Sequence, residues 1–409
     1  MLAKTSYAAL TGFLLLGATP VWAQNIDSQE EATAFAERLK AVAAEQGIPI
    51  AFDGATISGA DVTLTGFRFD QPAADPAAPP QKIDVTFKEV SGSTEEGWRA
   101  ESVPFADIDE TTDGTRGQVK GMAITGLEIA GTQPSDPVPE VKKLSPLFFE
   151  SAAIQSVNIE EGGKPVFSLT DAKIDNTIND DGSFSSAFNF GNFDADFASA
   201  PADEEGIKTL REIGYEKLAG SISGQADWNP QTGVLSLAPF DINVTDAGNL
   251  SFTYAISGYT PAFIESMKQT QAQMAANPQD NSAAGMAMMG LISQLYLDSA
   301  VLSFEDASLT NKLLDYFAKQ NGADRATFVA QLGQMVPAML ASLNNPEFQA
   351  KVETAVSTFL QDPKSLRIAI EPANPVPATQ IIGAAMGAPQ TLPNVLQLDV
   401  TANQAGGAN

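Results

Sequence analysis

Apolar and polar residues alternate over long stretches of this chain. Leu250, Phe252, Tyr254 and Ile256 are separated by Ser251, Thr253 and Ala255, a period of two that predicts a strand with one buried and one wet face. The same period marks Val62 and Leu64, then Phe67 and Phe69 beyond Gly66, then Ile83, Val85 and Phe87. The change of phase at Gly66 predicts a bulge. Residues 119–129 read as another strand, with Met122 and Ile124 before a second glycine at Gly126. Phe184, Phe188 and Phe190 share one parity, and Phe193 and Phe197 take the other beyond Gly191. Phe240, Ile242 and Val244 continue the pattern. Asn179-Asp180-Asp181-Gly182 and Asp227-Trp228-Asn229-Pro230-Gln231-Thr232-Gly233 carry the residue types that tight hairpins require.

Elsewhere the period is helical. Residues 28–46 place Ala32, Phe35, Leu39 and Val42 near one face. Ser28 stands at the capping position and Glu30 and Glu31 in the first turn, where the helix dipole favours anions. Thr260-Pro261 starts a second helical region, since Thr caps and Pro fits the first helical position. Residues 283–297 form a nearly all-apolar segment that reads as a buried helix, followed by Val301, Leu302 and Phe304 as a short extended link. Residues 308–320, 324–343 (with Pro337 as a kink) and 345–362 read as three more helices. Segments 366–370 and 395–400 read as closing strands around a short helix near 377–386. Segments 71–81 and 132–146 are Pro-rich connections.

A long β stretch followed by clustered helices is an α+β pattern. The expected fold is a long twisted antiparallel β-sheet, a meander, packed by a C-terminal helical layer. The expected organisation is a signal peptide over 1–23, a helix-and-sheet region over 24–260, a helical region over 261–363, and closing strands with a Gly-rich tail over 364–409 that rejoin the sheet.

The start of the chain changes the picture. Lys4, an apolar run through Phe13-Leu14-Leu15-Leu16 and the small-residue site before Gln24 match a secretory signal peptide cleaved near Ala23. The run is shorter than the roughly 20 apolar residues of a spanning helix. Export to the periplasm or beyond the cell is therefore expected, with no transmembrane segment in the mature chain. The chain has 50 acidic and 23 basic residues, a formal net charge of −27. Nucleic-acid binding needs clustered Lys and Arg, so no nucleic-acid partner is expected. Neither Cys nor His occurs, which excludes disulfides, thiolate nucleophiles, Ser-His-Asp triads and His-ligated metals. No phosphate-binding loop or dinucleotide fingerprint is present, and no cofactor is expected. Carboxylates remain available, at Asp107/Asp109/Glu110, Asp194/Asp196 and Asp203/Glu204/Glu205. In a chain this acidic such neighbours arise by chance and read first as solvated faces.

The methionines are the other candidate chemistry. Met267, Met274, Met286, Met288 and Met289 fall in the helices that follow the sheet. Met is unbranched and adapts to variable apolar partners, although at helical spacing it also serves ordinary core packing. Met267, Met274, Met286 and Met289, facing Phe252 and Tyr254 of the sheet, are the expected lining of a site for a lipid or other hydrophobic small molecule.

The Gly-punctuated segments Val62-Thr63-Leu64-Thr65-Gly66-Phe67-Arg68-Phe69 and 119–129 resemble strands of uncharacterised proteobacterial periplasmic proteins. So do 215–220, 227–233 and 302–309. Their style is distantly similar to the AsmA-like envelope proteins. The resemblance implies repeated strand units forming a curved sheet with a hydrophobic groove, and it carries over no functional residues. Three functions are compatible with the sequence. The first is a non-catalytic exported protein holding a hydrophobic ligand between sheet and helices. The second is a structural or interaction protein of the cell envelope with a protein partner. The third is a carboxylate-dependent hydrolase.

Overall fold

The computed structural model describes residues 25–70, 82–198, 205–276 and 281–404. The expected signal peptide, the connection at 71–81, Asp203, Glu204 and the end of the tail lie outside them. The chain divides into two compact units: residues 25–101 with 128–136, and residues 102–127 with 137–404. The division falls inside the stretch 24–260, read from sequence as one region.

In the first unit, helix α1 (Gln29–Glu45) precedes strands β1 (Ile50–Ala51), β2 (Gly54–Ser58), β3 (Asp61–Phe69), β4 (Ile83–Ser93) and β5 (Gly97–Pro104), the last of which runs on into the second unit. Ser28 caps α1 as expected. Its hydroxyl accepts from the Glu31 N–H at 3.2 Å, and the Glu31 carboxylate accepts from the Ser28 N–H. Ala32, Phe35, Leu39 and Val42 are buried, and the Phe35 ring meets Phe87 at 5.1 Å and Trp98 at 6.0 Å, both edge-on. Strand β3 pairs with β1, β2 and β4, and its register to β4 slips between Leu64 and Phe67. The bulge expected at Gly66 is there.

The second unit is built on one antiparallel sheet. Its strands are β6 (Ile108–Thr112), β7 (Thr115–Lys120), β8 (Ala123–Ala130, its first five residues), β9 (Leu147–Phe148), β10 (Ser151–Glu161), β11 (Lys164–Ile178), β12 (Phe184–Asp196), β13 (Lys217–Asn229), β14 (Val234–Val244), β15 (Gly248–Ser257), β16 (Tyr296–Asp306), β17 (Ser365–Ile370), β18 (Val376–Pro377) and β19 (Leu398–Ala402). From β10 to β16 each strand pairs with the next; β10 also holds β7 and β8, and β17 bridges β16 to β19. The fold is α+β, with a large open antiparallel sheet. Both expected hairpins form. The Asn179 N–H closes the first by donating to the Ser183 carbonyl, and the Asn229 carboxamide oxygen accepts from the Gln231 and Thr232 N–H groups in the second.

Two segments differ from the sequence reading. Residues 119–129 are broken at Gly121 into β7 and β8, whose phases differ. The short link at 301–304 is the middle of the 11-residue strand β16, paired on both sides. Its alternation is masked by Ala300 and Val301, which are apolar on both faces.

Helices follow and interrupt the later strands: α2 (Glu140–Leu144), α3 (Glu205–Glu212), α4 (Pro261–Ala276), α5 (Asn281–Ile292), α6 (Leu309–Gln320), α7 (Arg325–Leu340), α8 (Pro346–Gln361), α9 (Ala378–Gly387) and α10 (Leu392–Val395). Thr260, Asp324 and Asn345 cap α4, α7 and α8 with side-chain oxygens. Helix α7 continues through Pro337 into a 3-10 turn, Ala341–Leu343. Val395, read as strand, belongs to α10, because Pro393 opens a helical turn there.

Bulges set the shape of each strand. Register slips between β12 and β13, β13 and β14, β14 and β15, and β15 and β16. Each extra residue bends its strand and adds twist. At Gly191 (φ +66°) the extra residue also restores phase, so that Phe193 returns to the face of Phe188. A Cβ there would fall 1.7 Å from the Thr170 carbonyl oxygen. Gly191→Val is expected to destabilise the fold by about 2 kcal/mol or more, from strain and overlap together. Urea denaturation checks this, and an unchanged midpoint would refute the role given to Gly191.

Candidate functional site: an open apolar sheet face

Residues directly opposite each other in antiparallel strands share a face. The register therefore assembles a row: Ile124, Ala152, Ile174, Phe188, Gly224, Phe240, Phe252, Leu302, Ile368 and Val400, one from each of ten strands. At a strand spacing of about 4.8 Å the row runs for roughly 40 Å. Every member is apolar. Adjacent rows are apolar too: Ile222, Ile242, Leu250, Phe304 and Leu366 on one side, and Ala226, Leu237, Tyr254, Ala300 and Ile370 on the other. The opposite face carries Lys173, Asn189, Ser223, Asp241, Ser251, Ser303 and Arg367 in one such row.

The helices cover only the margins of this face. At one end Ile213 and Tyr215 pack with Leu218, Val244 and Ala247 under Leu309 and Leu313 of α6. The Tyr215 hydroxyl bonds Ser308 at 2.8 Å, and the Lys312 ammonium sits 3.7 Å from the Tyr215 ring centroid. A cavity of about 650 Å³ lies there, walled by Ile207, Leu210, Ile213, Leu309 and Leu313. At the other end Trp228 donates to the Tyr259 carbonyl at 2.7 Å, and the Tyr259 ring lies tilted 5.3 Å from that of buried Phe263 at the start of α4. Along the last strands α8 packs Phe348, Val352 and Ala355 against Leu366, Leu398 and Val400, and Phe359 meets Phe304. Between these margins no described helix covers the face. Phe190 is 42% exposed, Leu250 37%, Leu302 40% and Ile368 38%. Soluble monomers rarely expose contiguous apolar patches beyond a few hundred Å² without a binding role.

Strand β13 shapes the middle of the face. It offers Gly220 and Gly224 where its neighbours offer large side chains, and the rings of Phe193 and Phe188 lie over them. A Cβ at Gly224 would sit 2.4 Å from the Phe188 ring.

The expected site residues separate into two groups. Phe252 and Tyr254 lie on the apolar face, their rings 5.7 Å apart, and both are half-buried. Met267 is half-buried on α4, and Met274 is exposed. Met286 and Met289 are 73% and 47% exposed on α5. The expected buried helix at 283–297 thus exposes much of its apolar surface, and it ends at Ile292 so that Leu297 can join β16. Phe188, Leu250, Leu302 and Ile368 are further members of the face, read from the sequence as strand positions and not among the expected ligand-lining residues. Their pairing register, and not their own neighbourhoods, brings them together.

The acidic groups are tied into the scaffold. Arg116 grips Asp109 with two bonds of 2.8 and 2.7 Å, and Gln118 adds a third. These hold the Asp109 carboxyl down at about 2. Asp107 accepts from the Gly121 N–H, and Asp196 accepts from the Ala198 N–H and pairs with Lys217. Among the described residues no cluster of three acids is placed to hold a metal ion. Between α7 and α8 lies a cavity of about 670 Å³ lined by Arg325, Val329, Gln334, Glu353 and Ser357. Arg325 is engaged there by Asn311 and Asp315.

Asp298, at the β16 bulge, is different. Burial pushes its carboxyl above the ordinary carboxylate range, and the Ser257 hydroxyl, donating at 3.1 Å, offsets part of this. Asp298 and Asp306, each with one buried oxygen unpartnered, stand eight positions apart on one strand, about 26 Å. A glycosidase pair needs roughly 5–10 Å. The raised value gives a sign for stability. The unfolded chain releases this proton first, so stability falls as pH rises from the ordinary carboxylate value to the raised one. Asp298→Asn is expected to match the parent below about pH 3 and to melt higher at neutral pH. Thermal melts across that range check it, and a variant that melts lower at neutral pH would refute it.

Among the described residues no helix is long and apolar enough to cross a membrane. No curated protein matches the chain. A family model described as an uncharacterized protein matches residues 241–403, the part of the chain that holds β15 to β19 and most of the helices.

Proposed function

We propose that this is an exported, non-catalytic protein of the cell envelope that carries a lipid or similar long apolar molecule on the open face of its second unit. The apolar row over ten strands is the observation that carries this reading. Its length of about 40 Å exceeds what a compact small molecule would fill. An acyl chain is about 15 Å long, half of a roughly 30 Å hydrocarbon core, so the face offers room for more than one. The cavity beside Leu210 and Leu313 adjoins one end and suits a chain terminus. The face itself supplies contact and exclusion of water. Burying a Leu or Phe side chain is worth about 1.5–3 kcal/mol, so several such contacts hold a ligand without any polar anchor.

The N-terminal pattern supports export, and the acidic, Lys-poor surface suits a chain that stays in solution. Two measurements test the proposal. Fractionated cells are expected to yield a mature chain beginning at Gln24 outside the cytoplasm. Native mass spectrometry of that chain, with solvent extraction, is expected to show lipid at a fixed ratio. Leu302→Asp is expected to reduce bound lipid tenfold or more, because a charge on the face must then be desolvated. Mature protein without lipid, or equal lipid on the variant, would overturn the carrier role.

A further inference from the structure

The charges of this chain are unevenly placed. Charged residues make up 18% of the sequence, yet residues 281–297, 326–346 and 372–398 contain no Asp, Glu, Lys or Arg. These three stretches are α5 with the start of β16, most of α7 with its 3-10 turn, and β18, α9 and α10 with the start of β19. They are separate in sequence and joined in space. The Ala378 N–H at the start of α9 donates to the Leu295 carbonyl just after α5, at 2.9 Å. The Asn345 carboxamide, after α7, donates to the Gln390 carbonyl after α9, at 3.0 Å. Six of the ten methionines lie in the three stretches, and all six are exposed: Met286, Met288, Met289, Met335, Met339 and Met386, the last at 83%. The same layer begins where β18 pairs with Tyr296 and Leu297, at the margin of the apolar sheet face.

We infer that this uncharged methionine layer is the surface by which the protein docks on a bilayer of zwitterionic, net-neutral lipid, the source and destination of the molecule it carries. This inference rests on the carrier reading for its purpose, and on the charge pattern for its occupant. A chain of net charge −27 is repelled by anionic headgroups and by a second copy of itself. A basic protein partner would be drawn to the acids, which this layer lacks. A net-neutral bilayer imposes no such repulsion and requires no buried charge to be desolvated. Flexible Met side chains adapt to its disordered interface. Loading the sheet face would then need no passage of the lipid through bulk water.

Co-flotation of the full mature chain with vesicles tests this. It is expected to float with pure phosphatidylcholine vesicles and to float less when phosphatidylglycerol is mixed in. Salt is expected to restore part of that loss, as the screening length shortens. Met286→Asp, Met339→Asp and Met386→Asp together are expected to reduce flotation at least tenfold. Each site is highly exposed, so the thermal melt should be unchanged, and Met386→Asp alone should show a smaller loss. Leu302→Asp should float normally while carrying less lipid, which separates failure of docking from failure of carriage. Absence of flotation on phosphatidylcholine, or equal flotation by the triple variant, would overturn the inference. So would a vesicle-independent dimer that the triple variant dissolves.

Discussion

An antiparallel sheet that is oily on one side must hide that side or use it. The second unit of this protein presents such a side across ten strands, and its helices reach only the margins. Everything else in the unit follows from that shortfall. Helices α3 and α6 close one end around Tyr215, the start of α4 closes the other around Trp228, and α8 covers the last strands. The centre, around Phe190, Leu250, Leu302 and Ile368, stays accessible. A sheet that only needed stability would gain by covering these side chains, since full burial of a Leu or Phe is worth about 1.5–3 kcal/mol and each of these forgoes a part of it.

The bulges keep such a wide face continuous. A strand that simply alternates drifts out of step with a bent neighbour, and one misplaced residue would turn every later side chain to the wrong face. Gly191 corrects the phase between Phe190 and Phe193, and the slips from β13 to β16 do the same for the strands beyond. Glycines on β13 then make room for the Phe188 and Phe193 rings to lie across it. Charge is sorted with the same consistency. Lys, Arg, Asp and Asn occupy the wet face of the sheet, and residues 281–297, 326–346 and 372–398 of the helical layer carry no Asp, Glu, Lys or Arg.

Much of this was legible beforehand in particular residues. The alternation from Leu250 to Ile256 marked β15, Thr260-Pro261 marked the start of α4, and Ser28 with Glu31 marked α1. The alternation also put Phe252 and Tyr254 on one side of β15, and they share the apolar face. The period of strand β16 is blurred in the sequence by the adjacent apolar residues Ala300 and Val301. The hairpin of β6 and β7 is not legible in the sequence, because its polar run from Asp109 to Lys120 leaves too few apolar positions to show a period. The methionines of α5 read as buried because an all-apolar helix normally finds a partner surface.

The sequence by itself determined the local elements, the phase of each strand, the charge-free stretches and the chemistries that a chain without Cys or His must do without. These depend on neighbours a few positions apart, and periodicity and composition record them. Only the tertiary structure decided that Ile124, Phe188, Phe252, Leu302 and Val400 form one row, and that the described helices cover its margins, Val400 among them, and leave Leu302 exposed. Pairing register and helix placement are set by contacts between residues tens to hundreds of positions apart. No pattern within a single strand or helix encodes which partner it meets, or that it meets none.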